Sequence, residues 1–328
     1  MKENFLPGKV GLAPMAGITD YPFRKICFEY GAPFAFTEMI SAKSVLLNLE
    51  VNEQYFPRSD ERERIGIQLF GYDPVELAQA AQMVQDKALW VDLNAGCPAT
   101  KIVKRNAGAA LLKDLKHFRL VVREMKKVTR RLSVKTRIGW DRDEFEHIYN
   151  ILVEEGVDAI FVHGRTARQM YAGKAIWNIY NHGDVPMYLS GDIYTREDIK
   201  RAIEVSGASG VIVARGSIGN PWIFSSLNDT ELNDTGRNEN VDKMEKLSVA
   251  LRHLDYLEIE YGDYGAVVFR KYVAGYTRNL VGAREFRANV MNLDTIEKLK
   301  RSFIEYFSKL DLELSSEYTI TGGNLGGN

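Results

Sequence analysis

Short apolar runs recur eight times between Val10 and Ala214, and segments with helical patterns lie between them. Most of these runs are nearly continuous in Val, Ile, Leu and Phe, without a polar residue at every second position. Continuous runs are typical of strands that are buried on both faces, as in a parallel sheet. We therefore predict eight parallel strands, at Val10–Pro14, Phe34–Ile40, Ile65–Phe70, Trp90–Asn94, Ser133–Arg137, Ala159–His163, Met187–Ser190 and Gly210–Ala214.

Helical patterns separate the runs. Asp73 precedes Pro74–Val84 as an N-cap, and Thr195 precedes Arg196–Val205 in the same way. Phe118–Val128 and Glu144–Glu155 also carry apolar residues at helical spacing. Strand and helix alternating eight times, with a period of roughly 25–30 residues, predict an α/β fold of the (β/α)8 TIM barrel class. An open doubly wound sheet is the alternative, but eight units fit the barrel without remainder.

The composition changes after Phe224. Residues 225–240 are rich in Asn, Asp, Ser, Thr and Gly and indicate a linker, and the following segment is helical in pattern without strand signals. We predict a catalytic barrel over 1–235, and a linker over 225–240 that begins within its last residues. A small all-helical domain follows over 241–315, and a disordered tail over 316–328.

Charge and cysteine content exclude several classes of protein. The formal net charge is -1, so any nucleic-acid surface must be a local patch. Cys27 and Cys97 are the only cysteines, which argues against a disulfide framework and favours a reducing cytoplasm. No window approaches the roughly 20 apolar residues of a membrane span, so we expect no membrane partner. No second Cys or His lies at ligand spacing from Cys97, so we expect no metal.

Cys97 stands in the segment Asn94-Ala95-Gly96-Cys97-Pro98, directly after the fourth predicted strand. Barrel enzymes carry their chemistry at the carboxyl ends of the strands. A thiol in a loop shaped by Gly and Pro is poorly placed to fill a core, whereas Cys27 lies in a helical pattern and is expected to pack as a small hydrophobe. The residues alone leave open whether Cys97 is a nucleophile or an acid. Cations follow it closely, at Lys101, Lys104 and Arg105.

Other strand ends carry polar residues that suit a heterocyclic ligand. Gln68 offers both a donor and an acceptor for the edge of a ring, and Glu38 could hold a substrate hydroxyl or amide or be structural. Lys135 and Arg137 are two apart, so both point to one face. Such buried charges require a ligand or an ion pair, and for the lysine the ion-pair alternative is Glu38 or Asp92.

The remaining strand ends indicate a phosphate site. Loops after the seventh and eighth strands of such barrels often bind phosphate, and here they contain Ser190-Gly191-Asp192 and Ala214-Arg215-Gly216. The sixth strand ends in His163-Gly164-Arg165. The first ends in Ala13-Pro14-Met15-Ala16-Gly17, whose small residues allow a flat ligand to approach closely.

These segments, in this order, resemble the tRNA-dihydrouridine synthase family. The resemblance rests on Ala13–Gly17, Asn94–Pro98, Val134–Arg137, His163–Arg165 and Ala214–Gly216, and it extends over roughly residues 5–310. The region from His253 to Tyr272 is similar to the RNA-binding signature of the family. Two positions depart from the family pattern, because Ser190 stands where Asn is frequent and Tyr272 where His is frequent.

The resemblance implies a flavin cofactor, FMN, at the top of the barrel. Pro14, Met15 and Ala16 would flank its ring, and Gln68 and Lys135 would hydrogen-bond to it. The ribityl chain and phosphate would be held by His163, Ser190, Gly191, Asp192, Ala214 and Arg215.

The resemblance further implies reduction of the C5–C6 bond of a uridine in tRNA, with NADPH or NADH as the electron donor. Hydride would reach C6 from the reduced flavin, and Cys97 would protonate C5. Asn94 would bind the uracil edge, and the side chains expected to contact the RNA are Glu38, Lys101, Arg105, Arg137, Arg165, Arg270 and Lys271.

A basic run in the helical region is interleaved with aromatic residues, a pattern used for RNA loops. Its cations are Arg270, Lys271, Arg278, Arg284 and Arg287, and its aromatic residues are Tyr272, Tyr276 and Phe286. A solvated face with core aromatics is the alternative for this run. For the whole chain, the alternatives are a flavoenzyme similar to dihydroorotate or dihydropyrimidine dehydrogenase, acting on a free pyrimidine, and an RNA-binding module with an inactive barrel.

Overall fold

Nine parallel strands form one sheet in the computed structural model, which describes residues 3–225 and 241–321, with side chains as far as residue 310. The strand order is β1-β9-β8-β7-β6-β5-β4-β2, and β3 also pairs with β4. The Leu12 amide donates to the Phe34 carbonyl at 3.0 Å and so joins the first strand to the start of the second. The predicted (β/α)8 barrel is therefore confirmed. The strands are β1 (Val10–Leu12), β2 (Ala35–Phe36), β3 (Ile40–Ser41), β4 (Ile65–Phe70), β5 (Trp90–Ala95), β6 (Leu132–Arg137), β7 (Ala159–His163), β8 (Met187–Ser190) and β9 (Gly210–Val213).

The barrel interior changes from aromatic to polar along the strands. Because alternate residues of a strand point to the same face, the inward positions of each strand form layers. The layer near the amino ends is a buried aromatic cluster in which Phe36 packs edge-to-face on Phe161, with ring centroids 4.8 Å apart. Two residues further along β5 and β6 the inward side chains are polar, which places the candidate site at the carboxyl ends.

The predicted second strand is interrupted by a bulge. β2 and β3 both pair with β4, but four steps from Phe36 to Ile40 lie opposite three steps from Gly66 to Leu69. The one extra residue unpairs the backbone locally, and the Thr37 hydroxyl accepts the Gln68 amide at 3.1 Å in its place. A single strand over 34–40 is therefore wrong, because an apolar run cannot show where the ladder shifts register.

Helices cover the outside of the barrel and begin at the predicted caps. The Asp73 carboxylate accepts the amides of Val75 and Glu76, and Thr195 forms a capping box with Asp198. The helices of this part are α1 (Tyr21–Glu29), α2 (Ala42–Leu47), α3 (Pro74–Val84), α4 (Thr100–Val103), α5 (Leu115–Val128), α6 (Phe145–Glu154) and α7 (Arg196–Ser206).

The predicted strand–helix unit that begins with β7 lacks its helix. Between β7 and β8, residues 164–186 are all described and contain no helix. This segment, called the β7–β8 loop below, is instead fixed by hydrogen bonds from buried arginines. Strict alternation was therefore wrong at this position.

The chain divides into two compact units, Met1–Ser217 with Pro221–Thr235, and Ile218–Asn220 with Gly236–Asn328. Most of the predicted linker, 226–240, lies outside the described residues. Four helices build the second unit, α8 (Lys243–Tyr261), α9 (Tyr264–Tyr276), α10 (Ala283–Val290) and α11 (Ile296–Thr321). α11 continues to Thr321, so the predicted tail begins inside a helix, and 322–328 lie outside the described residues. No helix in the described part of the chain is long and apolar enough to cross a membrane.

Candidate active site

The Cys97 loop follows β5 and is fixed from several sides. The Asn94 Oδ1 accepts the amides of Gly96 and Cys97 at 3.2 and 3.0 Å, and the Cys97 carbonyl accepts the Ala109 amide at 3.0 Å. The Gly96 carbonyl accepts the Nε of Arg137 at 2.9 Å. These bonds hold the loop backbone on both its donor and its acceptor side, so the position of the thiol is defined by the protein.

The loop packs so closely on its neighbour that only glycine fits at position 108. Gly108 has φ +62°, and a Cβ there would lie 2.7 Å from the Cys97 carbonyl oxygen. The Cys97 side chain is half-buried and packs near Phe70, Ile102 and Ala107. The sequence did not indicate this contact.

A chain of buried polar side chains runs from the loop into the barrel. The Asn94 Nδ2 donates to the Gln68 Oε1 at 2.8 Å, and the Gln68 Nε2 donates to Asp92 at 2.7 Å. The Ser133 hydroxyl donates to the other oxygen of Asp92. Burial raises the pKa of Asp92 to about 7, although the two hydrogen bonds and the charge of Lys135 oppose the increase.

Asn94 is therefore engaged inside the protein through both ends of its carboxamide, and its Nδ2 also lies 3.7 Å from the Met39 sulfur. The sequence predicted that it binds the uracil edge, whereas the structure uses it to hold the loop. Asp92 entered the sequence interpretation only as an ion-pair partner for Lys135. Its spacing of two from Asn94, on the same face of β5, is the signal that could have identified it.

Lys135 carries an ammonium group that has no partner within the described part of the chain. It is half-buried on β6, and within the described residues its Nζ forms no hydrogen bond or salt bridge, so the ion pair with Glu38 or Asp92 is not formed. Burial and the neighbouring charge of Arg137 lower its pKa to about 8. A desolvated cation at the carboxyl end of a barrel suits an electron-rich or anionic ligand, as the ring of a flavin would be.

His163 lies among four cations. Burial, followed by the charges of Lys135, Arg137, Arg165 and Arg215, lowers the pKa of His163 to about 2. The imidazole is therefore neutral, and this region is complementary to an anion such as a phosphate. Nearby, Gly191 has φ +112°, and a Cβ there would approach the His163 ring at 3.2 Å.

Arg165 and Asp192 clamp the β7–β8 loop. The guanidinium of Arg165 donates to both oxygens of Asp192, at 3.0 and 2.6 Å, and to the carbonyls of Ala172 and Gly173. Arg215 donates to the same carboxylate at 3.1 Å. Burial alone would raise the pKa of Asp192, but the hydrogen bonds and charges of Arg165 lower it overall. Arg165 is thus committed to protein partners, which corrects its predicted contact with RNA.

Arg137 ties the same loop to the Cys97 loop. Besides Gly96, its guanidinium reaches the carbonyls of Thr166 and Met170 at 2.8 and 2.9 Å. It is buried by these contacts, and its predicted contact with the substrate stays a prediction. The loop presents Tyr171, which is 56% exposed and whose ring lies 4.7 Å from the Arg215 guanidinium. The sequence interpretation missed Tyr171 because its segment showed no pattern.

The predicted rim residues differ in their exposure. Pro14 and Met15 are half-buried and Ala16 is exposed, in a turn where the Met15 amide donates to the Thr19 hydroxyl. Glu38 is half-buried in the bulge, Ser190 is buried at the end of β8, and Ala214 packs partly on the core. Lys101, Lys104 and Arg105 are exposed on α4 and the following turn, and none forms a hydrogen bond or ion pair within the described residues. They are therefore available to bind phosphate groups.

In the helical unit the predicted aromatic stacking surface is wrong. Tyr272, Tyr276 and Phe286 are buried, so they are core residues and cannot stack on bases. Two of the predicted cations also have local partners. Arg270 donates to the Leu293 carbonyl at 3.1 Å, and the Lys271 ammonium lies 5.3 Å from the Tyr272 ring.

Arg287 closes the carboxyl end of α9 through Thr277 at 2.8 Å. Arg278 and Arg284 are exposed, so these two cations of the basic run are accessible to a ligand. Among residues 3–225 and 241–321, no group of three or more His, Cys, Asp or Glu side chains is arranged to hold a metal ion.

Comparison with known proteins shows the family of the chain. The sequence profile of the dihydrouridine synthase family matches residues 11–310. The chain is 34% identical to tRNA-dihydrouridine synthase B of Pseudomonas aeruginosa over 93% of its own length and 94% of the relative's. The protein of the same name from Pseudomonas syringae pv. tomato is 34% identical, over 91% of this chain and 91% of its own length. The one from Pasteurella multocida is 34% identical, over 94% of this chain and 95% of its own length. On these matches, the chain belongs to the dihydrouridine synthase family.

Proposed function

We propose that this chain reduces the C5–C6 double bond of uridine in tRNA, with FMN as its flavin and NADPH or NADH as the electron donor. Members of the family are flavin-dependent oxidoreductases, and the relatives named above are tRNA-dihydrouridine synthases. The observation that carries the proposal is that a backbone-fixed Cys97 and the ammonium of Lys135, which forms no hydrogen bond or ion pair within the described residues, lie on or directly after neighbouring strands at the same end of the barrel. Together they supply an acid and a cation for an electron-rich ring.

The residues around the barrel mouth fit FMN. Lys135 would bind the ring, Pro14, Met15 and Ala16 would lie against it, and bound FMN would supply hydride in its reduced form. Gln68 is 1% exposed, and both ends of its carboxamide are engaged by Asn94 and Asp92, so we assign it to the support of Asn94 in place of its predicted bond to the ring. The cations around the neutral His163 would attract the phosphate. The other groups proposed to hold the ribityl phosphate are Ser190, Gly191, Asp192, Ala214 and Arg215, of which Asp192 contributes by orienting Arg215.

Cys97 holds the proton that the reaction consumes. When C6 of the uracil ring gains hydride, negative charge develops at C5 and O4, and the thiol delivers its proton to C5. General acid catalysis of this kind contributes about 10²–10⁴-fold in rate. The thiol must be protonated for this role, unlike a nucleophilic cysteine.

The exposed cations would hold the RNA. A uridine in folded tRNA must leave its stack to reach the barrel, at a cost of a few kcal/mol that backbone contacts must offset. Lys101, Lys104 and Arg105 are exposed on the turn after Cys97, and Arg278 and Arg284 are exposed in the helical unit. Glu38, Arg270 and Lys271 stay proposed as secondary contacts. We also propose that the chain acts in the cytoplasm.

A reconstitution experiment tests the proposed function. The purified chain is loaded with FMN and supplied with NADPH and tRNA that lacks dihydrouridine, and nucleosides are analysed by mass spectrometry. We expect dihydrouridine in the tRNA and no product from free uracil. Turnover of free uracil or dihydroorotate, without turnover of tRNA, would instead support the free-pyrimidine alternative, and a chain that binds no FMN would support the inactive barrel.

A further inference from the structure

We propose that Asp92 is a positioning residue for Cys97, acting through Gln68 and Asn94. These three side chains are called the orienting chain below. The inference rests on the proposed function, because it concerns the thiol that donates the proton.

All hydrogen bonds along the orienting chain point in one direction. The amides of Gly96 and Cys97 donate to Asn94, Asn94 donates to Gln68, and Gln68 donates to Asp92. One end of this series consists of backbone N–H groups, which can only donate. The other end is a carboxyl group that presents an acceptor oxygen to Gln68. The two ends together determine which way each carboxamide faces.

The direction matters because a carboxamide has a donor end and an acceptor end. Without the acceptor at Asp92, Gln68 could turn its NH2 group towards Asn94. Asn94 would then have to turn as well, and its own NH2 group would face the amides of Gly96 and Cys97. Two donors would meet, and the loop that holds the thiol would lose its support on that side.

Bulk water does not reach the place of the missing acceptor, since all three side chains are buried. Asp92 is 0% exposed, Gln68 1% and Asn94 7%. The remaining groups that face Asp92 are the Ser133 hydroxyl and the charge of Lys135, both on β6. Keeping a carboxyl group in such a place is expensive, so a functional use accounts for its presence better than packing does.

Two matched variants separate the acceptor from the rest of the side chain. Asp92→Leu has nearly the same shape and no acceptor. Asp92→Asn keeps a carbonyl oxygen for Gln68 while its NH2 group donates to the Ser133 hydroxyl. Rapid mixing gives two rates, the reduction of bound FMN by NADPH and the reoxidation of the reduced flavin by tRNA, of which only the second needs Cys97.

For Asp92→Leu we expect reoxidation to fall about 100-fold, as misplacement of a reacting group by about 1 Å does. Reduction by NADPH and FMN affinity should stay within about threefold, and Asp92→Asn should stay within about threefold in all three measurements. Equal losses in both half-reactions for Asp92→Leu, or an equal loss in Asp92→Asn, would overturn the proposal.

A Cys97→Ala background shows whether Asp92 acts through the thiol. There, adding Asp92→Leu should slow the remaining reoxidation by less than about threefold, because residues that act as a unit are not additive. A further loss of about 100-fold would overturn the role of Asp92. Failure of the proposed function is read separately, from Cys97→Ala alone, because a full rate in that variant would refute the acid assignment before Asp92 is changed.

A second pair of variants is available if Asp92→Leu does not fold. Asn94→Asp turns Gln68 round, so that its carbonyl oxygen faces the carboxylate of Asp92. Adding Asp92→Asn supplies an NH2 group to that oxygen and completes a chain of reversed direction. The double variant should therefore reoxidise on the order of 10-fold faster than Asn94→Asp alone. A double variant no faster than Asn94→Asp would contradict the orienting chain.

Discussion

The buried carboxyl group of Asp92 makes the stability of the barrel depend on pH in a predictable way. Its pKa is raised from the ordinary 3.8 to about 7, chiefly by burial. The folded chain therefore keeps a proton between these two values that the unfolded chain has lost. Stability that this proton provides is lost as pH rises towards 7, and above pH 7 the folded barrel carries the full cost of a buried charge. Asp92→Asn has no such dependence.

The size of the effect follows from the two pKa values. One unit of pKa shift corresponds to about 1.4 kcal/mol, and integrating the linkage from pH 5 to pH 8 gives about 3 kcal/mol. The difference in unfolding free energy between Asp92→Asn and the unmodified chain should thus move by about 3 kcal/mol in favour of the variant over this range. An interaction that the substitution removes equally at pH 5 and pH 8 shifts the difference by the same amount at both, so it does not affect the change of about 3 kcal/mol between them.

Urea unfolding at pH 5 and pH 8 measures this change. All four tryptophans, Trp90, Trp140, Trp177 and Trp222, belong to the barrel unit, so their fluorescence reports its unfolding. Both proteins are compared at the same flavin saturation, because bound flavin stabilises the folded state. If the difference between the two proteins is the same at both pH values, folding takes up no proton on Asp92 in this range, and the pKa of Asp92 is not raised as the reasoning requires.

Three further substitutions test the packing that supports the site. Gly108→Ala should displace the Cys97 loop and lower the rate of tRNA reduction about 100-fold, since the new Cβ would meet the Cys97 carbonyl at 2.7 Å. Gly207→Ala is its control, with a similar φ of +59° and no neighbour within 4 Å, so it should keep full activity, and equal losses in the two would refute the argument. Glu61→Ala should cost about 3–5 kcal/mol in urea unfolding, because it leaves the buried Arg24 unpaired, and a cost below about 1 kcal/mol would contradict this. Arg165→Met should speed trypsin cleavage after the exposed Arg168 or Lys174 roughly 10-fold by releasing the β7–β8 loop, and unchanged cleavage would show that the clamp does not hold it.

Strand positions were predictable because burial on both faces leaves a direct mark on the sequence. The continuous runs at Ile65–Phe70 and Ala159–His163 coincide with β4 and β7. The bulge at Thr37 was not predictable, because it depends on the register of β2 and β3 against β4. The β7–β8 loop also escaped prediction, because its order comes from Arg165 and Arg137, which are distant in sequence from several of their partners.

Candidate site residues were predictable by location more than by role. Strand-end reasoning found Gln68, Asn94 and Lys135, and the structure brings their strands together at one end of the barrel. It could not show that Arg165 binds protein groups, because a buried and an exposed arginine look alike in sequence. The same limit applies to Tyr272, whose burial in the helical unit depends on the packing of that unit's helices.

The dihydrouridine content of tRNA in complemented cells tests the central role of Cys97 most directly. Cells that lack the gene receive the unmodified chain, Cys97→Ala or Cys27→Ala, and their tRNA is analysed by mass spectrometry. Cys27 is the matched control, because its thiol is fully buried in α1 and burial raises its pKa well above the ordinary value. We expect the unmodified chain and Cys27→Ala to restore dihydrouridine, while Cys97→Ala, still loaded with FMN, restores it at least about 100-fold more slowly. Restoration by Cys97→Ala at the normal rate would contradict the assignment of Cys97 as the proton donor.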